Sequence, residues 1–293
     1  MADLLILTCP FTYTFSPSLA PALLKACAES EGISAYAWDL SAEFNHVHKK
    51  HPHYEAIVNW MSSSEVKLKP QEFESYQNIV KEYVEITLTK HNPKFVALSL
   101  LVLYCQKFAE DYCYFLKQRA PHIKIILGGN GINMNNLYFN KKWHDLMIDG
   151  GLADAALFGE GEYAIARIIK NNLRGAVYEP QITNEKLNAI PIPNYDDYNF
   201  DYYYTVVDGK RQTYSIWGTG GIPLDTDLVF LITSSKGCVK NCSFCDIAKS
   251  WPKYRFRSGE RVADEILFLY NKYGAKYFDF TDSLLNGGMK TFY

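Results

Sequence analysis

From the N-terminus to about residue 170, short apolar runs alternate with amphipathic stretches, and a chain patterned in this way folds as a parallel sheet joined by crossover helices. Strands are predicted at Leu4–Thr8, Ala35–Asp39, Phe95–Ser99, Ile123–Leu127 and Ala155–Phe158, and helices over Ser18–Ser30, Gln106–Arg119 and Tyr163–Asn171. The runs FVALSL and IKIIL are almost wholly apolar, as strands covered on both faces must be. Residues 40–92 lengthen one crossover and hold helix-forming polar sequence, which reads as a helical insertion. From about 172 to 223 the periodicity fails and Pro, Asp and Tyr accumulate in AIPIPNYDDYNFDYYYTVVDG. A second module begins near Leu228 with the strand LVFLIT, a cysteine-bearing loop, a helix over Gly259–Tyr273 and the strand KYFDFT. The predicted fold class is α/β. A Rossmann-like doubly wound sheet spans 1–175, a linker spans 176–223, and the first βα units of a partial (β/α) barrel occupy 224–293.

Lys and Arg number 30 against 32 Asp and Glu in 293 residues, a net charge of -2. That balance offers no cationic excess for nucleic acid or a membrane surface, and neither is expected as a partner. Asp3 stands where an export signal wants Lys or Arg, and no stretch approaches the roughly 20 apolar residues that span a bilayer, so a cytoplasmic location is expected. In a reducing compartment the seven cysteines serve as thiols. Cys9, Cys27, Cys105 and Cys113 are scattered, whereas Cys238, Cys242 and Cys245 fall within eight residues.

Those three form C-x3-C-x2-C directly after a predicted strand. Three thiolates on a short loop fill three corners of a cubane; a [4Fe-4S] cluster normally takes four, so one iron stays open for a small ligand. A zinc site short of its fourth ligand and chance clustering are the alternatives. Zinc favours paired C-x2-C or added His, and no His follows His144.

Cys238, Cys242, Phe244 and Cys245 after a first strand resemble the signature of the radical S-adenosylmethionine (radical SAM) superfamily. The stretch YRFRSGERVADEILFLYNKYGAKYFDFTDSLLN resembles that family's first helix and second strand, with Asp282 at the strand's end. The resemblance implies that SAM chelates the open iron. One electron then cleaves it to a 5'-deoxyadenosyl radical, supplied by a donor such as flavodoxin or ferredoxin. It further implies that Phe244 packs beside the adenine and that Asp282 and Ser283 approach SAM; loop packing for Phe244 and a capping role for the pair are the plain alternatives. Lys236, Lys240, Lys249, Lys253, Arg255, Arg257 and Arg261 surround the loop, either steering an anion or forming a solvated face.

In the first domain the dinucleotide fingerprint G-x-G-x-x-G is missing after the first strand, which disfavours a nicotinamide or flavin enzyme. Glycines stand instead at later strand ends, in GGNGI from Gly128 and FGEGE to Glu162, where carboxyl-end loops converge on one crevice. With Pro10, Pro17 and Ser18 after the first strand and Ser99–Leu101 after the third, the pattern resembles the cobalamin-binding domain that precedes many radical SAM barrels. By that resemblance Pro10, Ser99, Leu101, Gly128, Gly129, Gly159, Glu160 and Gly161 bind the corrinoid. The axial-histidine motif D-x-H-x-x-G is absent, and a domain that keeps the fold without the cofactor stays open. The histidines of NHVHKKHPHY are expected on an exposed loop, with a metal site as the alternative.

The expected function is therefore cobalamin-dependent methyl transfer to, or rearrangement at, an unactivated carbon of a small molecule or peptide. The alternatives are a radical SAM enzyme whose first domain binds substrate, and a non-catalytic cofactor-binding fragment or subunit. A complete barrel needs about 250 residues, and residues 228–293 hold two strands and one helix. The sequence thus reads as the front of a longer enzyme, truncated, inactive alone and completed by further chain or a second polypeptide.

Overall fold

The computed structural model describes residues 2–10, 16–133, 135–136, 141–207, 210–214, 223–225, 228–240, 242–245, 247, 251 and 253–287. The chain divides into two compact units. One comprises Met1–Thr14, Ala20–Glu179 and Pro193–Tyr202, the other Phe15–Leu19, Pro180–Ile192 and Tyr203–Tyr293.

The first unit is built on strands β1 (Leu4–Thr8), β2 (Ala35–Trp38), β3 (Phe95–Ser99), β4 (Lys124–Gly128), β5 (Ala155–Phe158) and β6 (Gly175–Tyr178). They form one parallel sheet in the order β2-β1-β3-β4-β5-β6. Helices α1 (Leu19–Ser30), α2 (Leu40–His48), α3 (Tyr54–Met61), α4 (Pro70–Ile86), α5 (Cys105–Arg119), α6 (Trp143–Asp149) and α7 (Gly161–Asn171) connect them. Alternate strand residues face opposite sides, so both faces must be covered. Leu5, Leu7, Val96, Leu98, Ile125 and Leu127 pack with α2 to α6 in one core. Leu4, Ile6, Ala97, Ile126 and Leu157 pack with Ala28 of α1 and Ala164, Ile165 and Ile168 of α7 in the other. The α/β class and the doubly wound sheet are as the sequence predicts.

The helical insertion is α2, α3 and α4, closed by a π-helical turn at Thr87–His91. Asp39 caps α2 by accepting from the Ala42 amide at 3.2 Å, and it accepts from Thr8 Oγ1 at 2.8 Å, which ties the ends of β1 and β2 together. The histidine segment is not the exposed loop expected. His46 and His48 lie in α2, and His48 is buried against Phe44 and edge-on to Tyr83, because α2 turns its apolar face to the core. His53 shares a hydrogen bond of 2.8 Å with Ser75 Oγ.

The stretch expected as a linker from 176 to 223 is not featureless. Residues 175–178 form β6, the sheet's outer strand beside β5. Residues 193–202 return to the first unit: Asp197 pairs with buried Lys25 of α1 and accepts the Ala37 amide at 2.9 Å. Ala37 lies on β2, the other edge of the sheet, so this strap occupies a donor that an edge strand otherwise offers to another chain. Tyr195 and Tyr198 are buried in it, 5.3 Å apart, which makes them packing residues.

The second unit contains α8 (Asn184–Asn188), a three-stranded sheet of β7 (Thr205–Val207), β8 (Lys210–Tyr214) and β9 (Pro223–Asp225), and the βαβ unit β10 (Val229–Ile232), α9 (Gly259–Tyr273) and β13 (Tyr277–Phe280). Strands β10 and β13 pair in parallel, Val229 opposite Tyr277 through Ile232 opposite Phe280. Between β10 and α9 lies the antiparallel pair β11 (Ser235–Lys236) and β12 (Arg255–Phe256). Ser258 caps α9 by accepting from the Arg261 amide at 3.2 Å, and Gly274, at φ 69°, ends it.

Candidate functional site

The cysteine loop begins where β10 ends. The ladder of Ser235 with Phe256 and Lys236 with Arg255 closes its neck, so residues 237–254 leave and return at one point. Gly237 makes this closure possible: its φ is 82°, and a Cβ there would lie 2.4 Å from the Lys253 carbonyl oxygen and 2.8 Å from that of Trp251. Cys242 is exposed and Cys238 and Cys245 are half-buried. The Lys240 amide donates to Cys238 Sγ at 3.3 Å, and the Cys245 amide to the Cys242 carbonyl at 3.1 Å. Among the described residues no group of three or more His, Cys, Asp or Glu side chains stands in metal-holding geometry, so the three thiols share one loop without being gathered around a point. The other four cysteines differ in kind. Cys9, Cys27, Cys105 and Cys113 are buried, and burial pushes the Cys9, Cys105 and Cys113 thiols up, which keeps them protonated and inert.

The loop's entry is pinned from two sides. Asp282, just past β13, accepts from Ser234 Oγ at 2.7 Å and from the Ser235 amide. Ser235 Oγ donates to the Leu284 carbonyl at 3.0 Å, and Thr233 and Thr281 share a hydroxyl hydrogen bond of 2.7 Å. From the other side, the Arg257 amide donates to the Ser234 carbonyl at 2.8 Å and its guanidinium to the Thr233 carbonyl at 3.0 Å. Arg257 also pairs with Glu265 of α9 at 2.5 Å, both side chains nearly inaccessible. Burial raises the Glu265 carboxyl against the pull of Arg257.

The arginines near the loop are engaged with neighbouring backbone and with Glu265. Arg255 is buried and donates to the carbonyl of Ile182 at 3.1 Å, and Arg261 donates to that of Ile190 at 2.7 Å. With the Phe256 and Ser258 amides donating to the Asn184 and Asn188 side chains, they hold residues 182–190 onto the second unit. Lys240 and Lys253 are exposed; Lys249 lies outside the described residues. Phe244 is 88% exposed, so loop packing does not account for it. Ser283 follows Asp282 in an irregular segment.

In the first unit, connections leave β1 and β3 in opposite directions across the sheet, and ligands of such folds bind outside the strand carboxyl ends at this switch point. Pro10 is buried just past β1, Ser99 ends β3, and Leu101 beyond it is 57% exposed. Gly128 ends β4 with open space where a Cβ would stand. The other glycines answer to the chain itself. A Cβ on Gly129 (φ 90°) would meet the Leu100 carbonyl oxygen at 2.3 Å, and one on Gly159 (φ 99°) that of Glu179 at 2.4 Å. Gly161, opening α7, lies against Leu24, and Glu160 before it is buried. Two residues unnoticed in the sequence set this edge. Buried Gln106 donates its amide to the Gly131 carbonyl at 2.6 Å, and a His144 ring nitrogen lies 3.1 Å from that of Ile132. Only their positions on the first turns of α5 and α6 mark them.

No protein-family model matches the chain. It is 25% identical over 179 residues to the anaerobic magnesium-protoporphyrin IX monomethyl ester cyclase of Synechocystis, covering 57% of this chain and 32% of that protein. It is 29% identical over 105 residues to the cytidylyl-2-hydroxyethylphosphonate methyltransferase of Streptomyces wedmorensis, 36% of this chain and 18% of that one. In fold it is similar to the radical S-adenosylmethionine methyltransferase TsrM from Kitasatospora setae, solved with tryptophan and a SAM analogue. The TM-score is 0.50 at 13% identity, over 96% of this chain and 48% of that one. The chain thus spans less than half the length of these relatives. No helix among the described residues is long and apolar enough to cross a membrane.

Proposed function

We propose that the chain carries the cluster- and SAM-binding segment of a radical SAM enzyme joined to a cobalamin-binding sheet domain, and that the whole enzyme transfers a methyl group or rearranges an unactivated carbon. The observation that carries this reading is the loop of Cys238, Cys242 and Cys245, closed at its neck and set at the exit of the first strand of a parallel βαβ unit.

The residues fit a [4Fe-4S] cluster by their chemistry. They are three free thiols at or near the surface, and one sulfur already accepts a backbone amide, the kind of hydrogen bond that tunes a cluster thiolate. A bound cluster would supply the electron that cleaves SAM, and a bound corrinoid would supply a transferable methyl group. The chain's share is to bind and orient. Phe244 offers an exposed aromatic face for the adenine, and Ser283 an exposed hydroxyl at the end of the second strand. Pro10, Ser99, Leu101, Gly128 and Gly129 line the edge where a corrin would lie, while Gly159, Glu160 and Gly161 shape the neighbouring turn.

A small-molecule or peptide substrate, a flavodoxin or ferredoxin as electron donor, a second chain or further sequence completing the barrel, and a cytoplasmic setting complete the proposal. Equilibrium binding of cobalamin to the chain tests the first unit. Saturable binding weakened at least tenfold by Leu101→Asp supports the corrinoid reading. Absence of binding, with iron and SAM still held, transfers the first unit to substrate recognition.

A further inference from the structure

We propose that Asp282 is a positioning residue for the cysteine loop: through Ser234 and Ser235 it sets where Cys238 presents its thiol. The inference rests on the cluster reading of that loop. An acidic residue at the end of the second strand would ordinarily be assigned to the bound ligand. Here each carboxylate oxygen already has a partner on the other strand, Oδ2 the Ser234 hydroxyl at 2.7 Å and Oδ1 the Ser235 amide. Both partners lie 47 or 48 residues away in sequence, between the last residue of β10 and the first cysteine.

Two residues separate Ser235 from Cys238, and the chain between them has little freedom. Lys236 is held in the ladder to Arg255, and Gly237 is wedged against the Lys253 carbonyl. A displacement at Ser235 therefore passes to Cys238. The Ser235 hydroxyl adds a second tie to the same segment by donating to the Leu284 carbonyl at 3.0 Å. On the opposite side, Arg257 holds the Thr233 and Ser234 carbonyls. The entry is thus gripped by its donors from the residues just past β13 and by its acceptors from Arg257 just past β12, and Asp282 is the only charged group among the described residues that receives the donors. A charged acceptor suits this task, since hydrogen bonds to carboxylates are stronger than those to neutral groups and hold the amide in one direction.

The test compares wild type with Asp282→Asn and Asp282→Ala, using the full chain. Asp282→Asn keeps the volume but replaces one acceptor with a donor, and it guards against a variant that fails to fold. Hydrogen exchange is followed across 234–240 in the cluster-free protein. Iron content, the electron paramagnetic resonance line shape of the reduced cluster and the SAM dissociation constant are measured after reconstitution. The expected result has four parts. Exchange at 235–240 rises at least tenfold while the β1 and β3 amides stay protected. Iron per chain falls, the line shape changes in what remains, and SAM affinity per loaded cluster stays within about twofold of wild type. Ser234→Ala reproduces the effect in smaller measure. The proposal is overturned if loop exchange, iron content and line shape match wild type while SAM binding weakens tenfold, which would make Asp282 a ligand of SAM. It is also overturned if nothing changes. Should wild type itself take up no iron, the cluster reading fails, and the exchange data alone still decide whether Asp282 holds the loop.

Discussion

Gly237 and the buried histidines show how much rests on single positions. A side chain at 237 meets two carbonyl oxygens in a backbone conformation that L-residues avoid, so Gly237→Ala is expected to cost about 1–3 kcal/mol locally and to open the neck of the cysteine loop. Faster alkylation of Cys238, with the unfolding midpoint of the sheet unit unchanged, is the measurement. His48 and His91 present a different case. Burial lowers both, His91 to about 4, aided by Lys90 and opposed by Asp197. A histidine held below its ordinary value binds a proton more tightly when unfolded. Its contribution to stability is therefore complete above about pH 6.5 and is lost as pH falls toward 4. Urea midpoints measured from pH 7.5 to 4.5 are expected to fall more steeply for wild type than for His91→Gln. Equal slopes would show that His91 does not titrate in that window. The burial of His48 was not legible in NHVHKKHPHY, because clustering in sequence says nothing about which side of α2 its ring takes, and His91 stands alone in sequence at the end of the π-helical turn.

At the scale of elements, continuous apolar runs were readable and edges were not. Leu4–Thr8, Phe95–Ser99 and Ala155–Phe158 form as predicted because strands covered on both faces carry no polar interruption. β6 escaped because an outer strand alternates: Val177 is buried while Ala176 and Tyr178 are exposed, leaving four residues with no run at all. The strap at 193–202 escaped for a related reason. Its attachments are long-range side-chain and backbone bonds, Asp197 reaching Lys25 and the Ala37 amide and Asn194 reaching the Ala22 carbonyl and Glu29, each across more than 150 residues of sequence. Asp197→Ala leaves the buried Lys25 ammonium with the Glu29 carboxylate alone, 3.8 Å away, and is expected to destabilise the first unit by about 3 kcal/mol, the lower end for breaking a buried pair. Hydrogen exchange at the Ala37 amide should rise with it; unchanged protection there would mean that the strap does not guard the β2 edge. Arg255, Arg257 and Arg261 teach the converse. A cationic run beside a cysteine motif invites an electrostatic role, yet these side chains are spent on carbonyls and on Glu265.

For the whole molecule, the spacing of three cysteines was visible in sequence, while the apparatus around them was not, since Asp282, Ser234 and Arg257 meet only through folding. The two curated relatives named above share 25% and 29% of aligned residues with this chain and the solved structure 13%, and the chain spans less than half of each. The proposed cluster binding is testable on this chain, because all three proposed ligands and the neck of their loop lie in its second unit. Anaerobic reconstitution of the chain beside its Cys242→Ala variant, with iron and sulfide counted and the reduced spectrum recorded with and without SAM, tests this most directly. The account predicts about four irons per wild-type chain, a spectrum that SAM perturbs, and loss of both in the variant. Zinc in place of iron, or an iron content indifferent to Cys242, would contradict it.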